Sequence, residues 1–500
     1  MANARQRIVV ALLCGVGLVA CDDDPNSPSE EFEFLGCPVG RQSVNAPLVL
    51  QFSAPVNPAT VTGGNLVVST AATGLEVPGS IAIDPTDSTR VTFTPSQALR
   101  FDETLRVRVQ NLRSARTNTQ VPVGLCEFTT ELPPITEIVW RELPSASGSN
   151  LEGISLLPSG LSHVITIEGA LYRRNVGENF NVAFQSAYFT GGGDVDFLDA
   201  SNGFASFRNT RTNEALVLRT VDGAVNFDTL AAVPGTAVNV ERLYFEPAAT
   251  PRGYFGVAGG GTAASSFFLK FSATNPPAAF TRQNFSGTGA VNDIDFAKPD
   301  TLNGVAVSRG VRVGTTVIRG RFFTTANGGT TWTQVPGADA SDTVLTYLGV
   351  ARLSNGTVFV AGGNGFFARF TPGGTGGTFT QVRLLQNALA NPDTTDPLAL
   401  QFTDVQFAPN NSQIGWVIGK QLVGFIGETP RFQGFIFQTR DGGNTWTRQG
   451  VIGAANYGAE FPGLNRLDVV SPTLVQIAGD AGAVFEYAPD AAPGTPAGTP

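Results

Sequence analysis

The chain is short of the residues that most enzymes and nucleic-acid binders rely on. Its 500 residues include one histidine, His163, three lysines (Lys270, Lys298, Lys420) and four cysteines, and only 15% are charged. A single histidine excludes His-rich metal sites and leaves one candidate base for any Ser-His-Asp or Cys-His scheme. His163 lies in the alternating run Leu161–Ile167 and reads as an ordinary strand residue. The net charge of −9, without clusters of basic residues, makes nucleic acid and anionic lipid headgroups poor partners. No phosphate loop, CxxC pair or zinc-ligand spacing occurs, so no metal and no cofactor is implied. The 58 glycines, 32 prolines and 36 phenylalanines, with 42% hydrophobic residues, describe a folded chain of many short strands and turns.

The N-terminus carries an address. Arg5 and Arg7 precede an apolar run, Ile8–Ala20, whose 13 residues are too few to span a membrane but suit the hydrophobic region of a signal peptide. The run ends in Leu18-Val19-Ala20-Cys21, which resembles the bacterial lipobox. The resemblance implies cleavage after residue 20 and diacylglyceryl transfer to Cys21. The protein would then be lipid-anchored and extracytoplasmic in a bacterial cell envelope. Residues 21–36 begin with an acidic, Pro- and Ser-containing stretch without apolar periodicity, and read as a flexible tether.

Export leaves Cys37 and Cys126 as an even pair in an oxidising compartment, so a disulfide between them is expected. They bracket six short alternating runs, at 48–52, 66–68, 80–83, 90–93, 105–109 and 126–129, divided by Pro-, Gly-, Asn- and Asp-containing turns. This pattern predicts a β-sandwich over residues 37–132. Asp84, Asp87 and Asp102 fall at the separators and read as turn residues. The phrases Phe52–Val61 and Val91–Pro95 resemble bacterial Ig-like domains of the surface-layer SbsA type, which are mostly spacers or adhesion modules. Glu131–Pro134 looks like a short, stiff linker.

Residues 137–488 repeat. Thr325-Ala326-Asn327-Gly328-Gly329-Thr330-Thr331-Trp332 and Thr439-Arg440-Asp441-Gly442-Gly443-Asn444-Thr445-Trp446 are one octet. In each, Asn327 or Asp441 can cap turn amides, a glycine (Gly329, Gly443) can take positive φ, and the Trp starts the next strand. Both octets resemble the Asp-box of BNR propellers, with Thr325, Thr331, Thr439 and Thr445 at its hydroxyl positions. Degenerate copies place aromatics at Trp140, Phe180, Phe227, Phe280, Trp332, Phe379 and Trp446. A second ladder of apolar strands centres on Ile154, Val195, Leu243, Ile294, Val350, Val405 and Leu467. Seven rungs over 352 residues give about 50 per repeat, in the range of four-stranded propeller blades. The expected fold is therefore all-β, an Ig-like β-sandwich followed by a seven-bladed β-propeller. Glu137–Leu143 should supply the outer strand of the last blade, beside Phe485, and residues 489–500 a disordered tail. Residues 290–450 in particular resemble the Ycf48-like, photosystem II stability factor-like branch of BNR propellers, a likeness that specifies fold well and function poorly.

Asp-box propellers also include sialidases, so a carbohydrate-active hydrolase or lyase is the alternative function. Sialidases need an arginine triad, a Tyr nucleophile and an acid Asp; here their early Arg-Ile/Leu-Pro motif is interrupted in Arg141-Glu142-Leu143-Pro144. Asp194, Asp196, Asp293, Asp295 and Asp404 recur beside the apolar ladder. They could gather at a propeller mouth and hold Ca²⁺ or a sugar, or stand as solvated strand-entry residues at the rim, which is the reading preferred. The missing catalytic set favours a non-catalytic binding or assembly scaffold that recognises a protein or glycan through propeller loops.

Overall fold

The computed structural model describes residues 31–71, 74–101, 103–233, 239–245, 252–258, 265–272, 281–286, 289–296, 302–313, 316–341, 344–373, 376–385, 400–454 and 460–489. The signal segment, Cys21, most of the tether, Asp102, Phe280 and residues 490–500 lie outside the described residues. Strands and two short 3-10 turns are the regular elements, and no α-helix occurs among the described residues. The chain divides into two compact units, residues 1–98 with 105–128, and residues 99–104 with 129–500.

The first unit is a sandwich. One sheet orders strands Arg41–Gln42, Gly124–Thr130, Thr104–Val109 and Leu66–Thr70; the other orders Leu48–Gln51, Arg90–Pro95 and Gly79–Ile83. Alternation puts Leu48, Leu50, Val91, Phe93, Leu66, Val68, Leu105 and Val107 inside, all nearly inaccessible. All six expected runs are strands. Asp84 and Asp87 form Asx turns, each Oδ1 accepting both the amide and the hydroxyl of Thr86 or Thr89. Those hydrogen bonds hold both carboxyls below the usual range. Cys37 and Cys126 are bridged across 89 residues. Replacing both by Ala should lower the stability of this unit by about 2–4 kcal/mol. Urea unfolding of the full chain checks it, and an unchanged first transition would refute the contribution.

The second unit is a succession of mainly four-stranded, mainly antiparallel sheets. Their first strands are Leu151–Leu156, Val195–Phe197, Asn239–Phe245, Val291–Phe296, Tyr347–Arg352, Leu400–Ala408 and Leu464–Ser471. Each first strand packs beside the next, and Leu464–Ser471 packs beside Leu151–Leu156, so the ring is closed. This is a β-propeller arrangement. Second strands are sandwiched between neighbouring sheets: every residue of Ser162–Thr166, Gly304–Ser308 and Val358–Gly362 is buried. Fourth strands such as Asn181–Phe184 and Gly376–Gln381 are largely accessible. The gradient explains the near-continuous apolar runs of inner strands and the alternation of outer ones.

The closure joins the two ends of the unit. Ile135–Leu143, starting two residues before the expected position, pairs antiparallel with Val484–Tyr487, setting Trp140 opposite Tyr487 and Glu142 opposite Phe485. Its other edge pairs in parallel with Thr447–Val451 of the preceding sheet. That pairing, which the sequence pattern gave no sign of, fuses two sheets into one of eight strands, with Ile135–Trp140 paired on one edge and Trp140–Leu143 on the other. Trp140 is wholly buried among Trp416, Ile418, Ile436, Phe485 and Tyr487.

Candidate functional site

The residues flanking each rung of the apolar ladder occupy equivalent places on the first strands. Before the rung stand Gly153, Asp194, Arg242, Asp293, Gly349, Asp404 and Arg466; after it stand Ser155, Asp196, Tyr244, Asp295, Ala351, Gln406 and Asp468. Polar members of both sets reach sideways to the backbone of the next first strand. Asp194 Oδ2 accepts the amide of Leu243 at 2.9 Å, and Asp196 Oδ2 that of Phe245 at 3.0 Å. Asp293 Oδ2 accepts from Val350 at 2.8 Å and Asp295 Oδ2 from Arg352 at 2.7 Å. Asp404 Oδ2 accepts from Leu467 at 3.0 Å, and Gln406 Oε1 from Val469 at 3.3 Å. Asp468 Oδ2 takes the amide of Leu156 at 2.6 Å, and Ser155 Oγ that of Phe197 at 2.9 Å. A first strand has no outer neighbour on its inner edge, so its amides need side-chain acceptors; the carboxylates supply them.

Asp194, Asp293 and Asp404 are therefore not solvated rim residues: their exposures are 2%, 2% and 0%. Arg242 lies between two of them, its Nε 2.9 Å from Asp293 Oδ1 and its Nη1 3.5 Å from Asp194 Oδ2. Arg466 donates to the Glu152 carbonyl at 3.2 Å. Burial outweighs this compensation at the acids. It raises Asp194, and it pushes Asp293 up to about 7, with Arg242 opposing the shift. Asp293 then binds a proton in the folded chain at pH values where the unfolded chain has lost it. Its contribution to stability must fall as pH rises from about 4 towards 7. The Asp293→Asn protein should show a flatter decline of melting temperature between pH 5 and 8 than the wild type; parallel profiles would contradict this.

A cavity of about 420 Å³ opens at this end of the first strands, lined by Asp194, Asp196, Asp293, Asp295, Asp468, Arg242, Arg352, Tyr244 and Gln406, with Ser354 and Asn410 among its loop residues. Sequence reading found Asp194, Asp196, Asp293 and Asp295 of this set and missed Arg242, Arg352 and Asp468. The missed signal was positional: Arg242 and Asp468 flank ladder rungs as the chosen aspartates do. Asp404 belongs to the same ring but does not line the cavity. Among the described residues no three His, Cys, Asp or Glu side chains are grouped to hold a metal ion.

The octets lie elsewhere, at turns between outer strands, with their polar groups turned inward on themselves. Thr439 Oγ1 donates to Asp441 Oδ1 at 2.9 Å and accepts the Gly443 amide at 2.8 Å; Asp441 Oδ1 also accepts the Thr445 amide at 2.9 Å. Thr325, Asn327, Gly329 and Thr331 repeat these bonds, as do Thr220, Asp222, Ala224 and Asn226. Burial works against the Asp441 carboxylate, yet the Thr445 and Thr439 bonds bring its pKa down to about 2. Gly329 and Gly443 take φ of 72° and 83°, and Ala224 is forced to 73°. Trp332 is 3% exposed and stacks on Phe268 at 4.6 Å, while Trp446 packs edge-on against Phe367. Thr439→Ala would strand the buried Gly443 amide and should cost about 1–3 kcal/mol, read from chemical denaturation.

His163 is wholly buried and stacked on Phe197, ring centroids 3.6 Å apart. Burial, with Arg173 nearby, lowers its pKa to about 3, so it stays neutral.

Residues 39–130 match the model of a bacterial Ig-like domain. No curated protein matches the sequence. Among solved structures, the chain is similar to YCF48 bound to D1 peptide, at 14% identity over 72% of this chain and 100% of that one, with a TM-score of 0.46. It is also similar to YCF48 from Cyanidioschyzon merolae, at 15% identity over 71% and 100% (TM-score 0.45), and to the RRP9 WD40 repeats, at 11% over 71% and 98% (TM-score 0.47). A bacterial Ig-like domain closed by a disulfide fits an extracytoplasmic bacterial protein.

Proposed function

We propose that the protein is a lipid-anchored, non-catalytic binding or assembly scaffold of the bacterial cell envelope. In this reading residues 1–20 are a lipoprotein signal, Cys21 carries the lipid, residues 21–36 are a tether and residues 37–132 an Ig-like spacer. Residues 137–488 form a seven-bladed propeller with Asp-box turns at Thr325–Trp332 and Thr439–Trp446, and its loops recognise a protein or glycan. The observation that carries the reading is the use of the ladder carboxylates: Asp194, Asp196, Asp293, Asp295 and Asp404 each give an oxygen to a neighbouring strand amide. Groups fixed in that way hold a rigid platform together. Affinity capture from the native envelope, with proteins and glycans identified together, tests the reading, and recovery of neither class counts against it. Cys21→Ser should release the protein from the membrane fraction.

One observation favours a carbohydrate-active hydrolase or lyase instead. Asp293, pushed up to about 7 beside Arg242 in a concave site, has the acidity of a general acid. That reading expects turnover of a glycoside that Asp293→Asn abolishes while leaving the protein folded. No turnover by wild type across a panel of sialosides and other glycosides excludes it.

A further inference from the structure

Few of the basic residues are lysines, and one of those few is set against an asparagine amide. Lys420 lies on the second strand of its sheet, Asn411–Ile426, and Asn465 on the first strand of the next, Leu464–Ser471. Lys420 Nζ stands 2.6 Å from Asn465 Oδ1. Asp480, in the short 3-10 turn after Leu474–Gly479, completes the group. Its Oδ1 lies 3.4 Å from Lys420 Nζ and accepts from Asn465 Nδ2 at 3.0 Å, so one carboxylate oxygen faces both nitrogens. Asn465 Nδ2 also donates to the Leu151 carbonyl at 3.0 Å, which fixes the plane of the amide. The group is largely enclosed: the Lys420 and Asp480 side chains are 16% and 17% exposed, and Nζ sits 5.0 Å from the centre of the Phe432 ring. Gly463 makes room for this packing, since a Cβ there would collide with Asp480 Oδ2 and crowd Phe432 and Lys420 Cδ. Water is scarce around these groups. Burial raises the Glu152 carboxyl, which acts on the same charges, even with Arg466 and Lys420 opposing.

We propose that Lys420 and Asn465 join in an intramolecular isopeptide bond, with Asp480 carrying the protons. The Lys420 ammonium gives a proton to Asp480 Oδ1, and the freed amine lone pair attacks Asn465 Cγ to form the Nζ–Cγ bond. Asp480 passes that proton to Nδ2, and a second proton follows the same route from Nζ in the tetrahedral intermediate. The Cγ–Nδ2 bond then breaks and ammonium leaves. An alkylammonium and a carboxamide become a secondary amide and an ammonium ion, so charge is conserved, nothing is oxidised or reduced, and no co-reactant is needed. An amine held against an amide carbonyl reacts without the entropic cost of an encounter, and an acid–base group within reach of both nitrogens serves the proton transfers. Arginine in the same place could not react in this way, because a guanidinium keeps its proton. The bond ties together the inner strands of two neighbouring sheets, beside the place where Leu464–Ser471 packs against Leu151–Leu156. It is independent of what the loops bind.

Tryptic digestion of the folded full chain, followed by mass spectrometry, tests this. The expected product is a branched peptide, 384–431 joined to 449–466, lighter than its two parts by one ammonia and uncut after Lys420. Succinimide formation at an Asn-Gly step also releases ammonia, so the branched peptide is the readout rather than the intact mass. Lys420→Arg keeps the positive charge and should abolish the branch. Asp480→Asn keeps an acceptor for Asn465 Nδ2 but cannot carry a proton, and should abolish it too. Should Asp480→Asn fail to fold, the wild-type digest and Lys420→Arg still test the bond. Free peptides 384–420, 421–431 and 449–466 from folded wild type would leave Lys420 an ordinary ion-pair partner of Asp480 and overturn the proposal. A branch that persists in Lys420→Arg overturns it as well, and one that forms to the wild-type extent in Asp480→Asn overturns the role given to Asp480.

Discussion

Trp140→Ala should destabilise the second unit by about 3–5 kcal/mol, the upper range for a buried aromatic truncation. Trp140 has no exposed surface and touches the two sheets that meet at the closure. Its ring packs on Tyr487 at 5.3 Å, and its Nε1 donates to Gln449 at 2.8 Å, so truncation leaves both a cavity and a buried amide oxygen short of a donor. The position matters more than the side chain's size. Trp140 sits on the one strand taken from the N-terminal end of the unit, and that strand joins Val484–Tyr487 on one edge and Thr447–Val451 on the other. Loosening it exposes two sheet edges together. The expected result is a lower urea midpoint for the second unit and hydrogen exchange accelerated first in residues 447–451 and 484–487. Protection lost instead in a distant sheet, or a midpoint shift below about 1 kcal/mol, would show that the ring does not depend on this strand.

Arg242→Met should cost a similar amount, about 3–5 kcal/mol, for an electrostatic reason. Methionine fills much of the same volume, but it leaves Asp194 and Asp293 buried without the cation that lies between them. Removing one partner of a buried ion network is strongly destabilising because the remaining charge is uncompensated. The sign with pH follows. Loss of Arg242 raises the acid pair further, so the variant's deficit is smallest where these carboxyls are protonated and grows as pH rises through about 7. Adding Asp293→Asn to Arg242→Met should recover part of the stability at pH 8. A double-mutant cycle by urea denaturation measures the coupling, and a coupling near zero would contradict the role assigned to Arg242.

Much of the architecture is legible from residue order. The six runs between Cys37 and Thr130 are all strands, because alternation sorts each run onto two faces without reference to distant residues. The ladder centred on Ile154, Val195, Leu243, Ile294, Val350, Val405 and Leu467 marks the first strands for the same reason, and each of those residues lies on one. The octet turns are local too: Thr439, Asp441, Gly443 and Thr445 satisfy one another within seven residues. His163 was recognisable as a strand residue from its alternating neighbours.

The carboxylates show where residue order runs out. Asp194 and Asp293 look like turn residues because Asp next to Gly or Asn is common at strand entries. Their actual partners are amides 49 and 57 residues further along the chain, on the adjacent sheet. Arg242 carried only a positional signal, as the residue before the Leu243 rung, and only the ring brings it between acids contributed by the sheets on either side. The parallel contact of Ile135–Leu143 with Thr447–Val451 likewise depends on two segments more than 300 residues apart. The sequence by itself determined which segments are strands, how they repeat, where the two cysteines bracket a sandwich and how each turn is capped, since these follow from periodicity and contacts within a few residues. Only the tertiary structure decided which edges meet, which carboxylates lose water and which arginine faces them, because burial and charge compensation are properties of the closed ring and of no single segment in it.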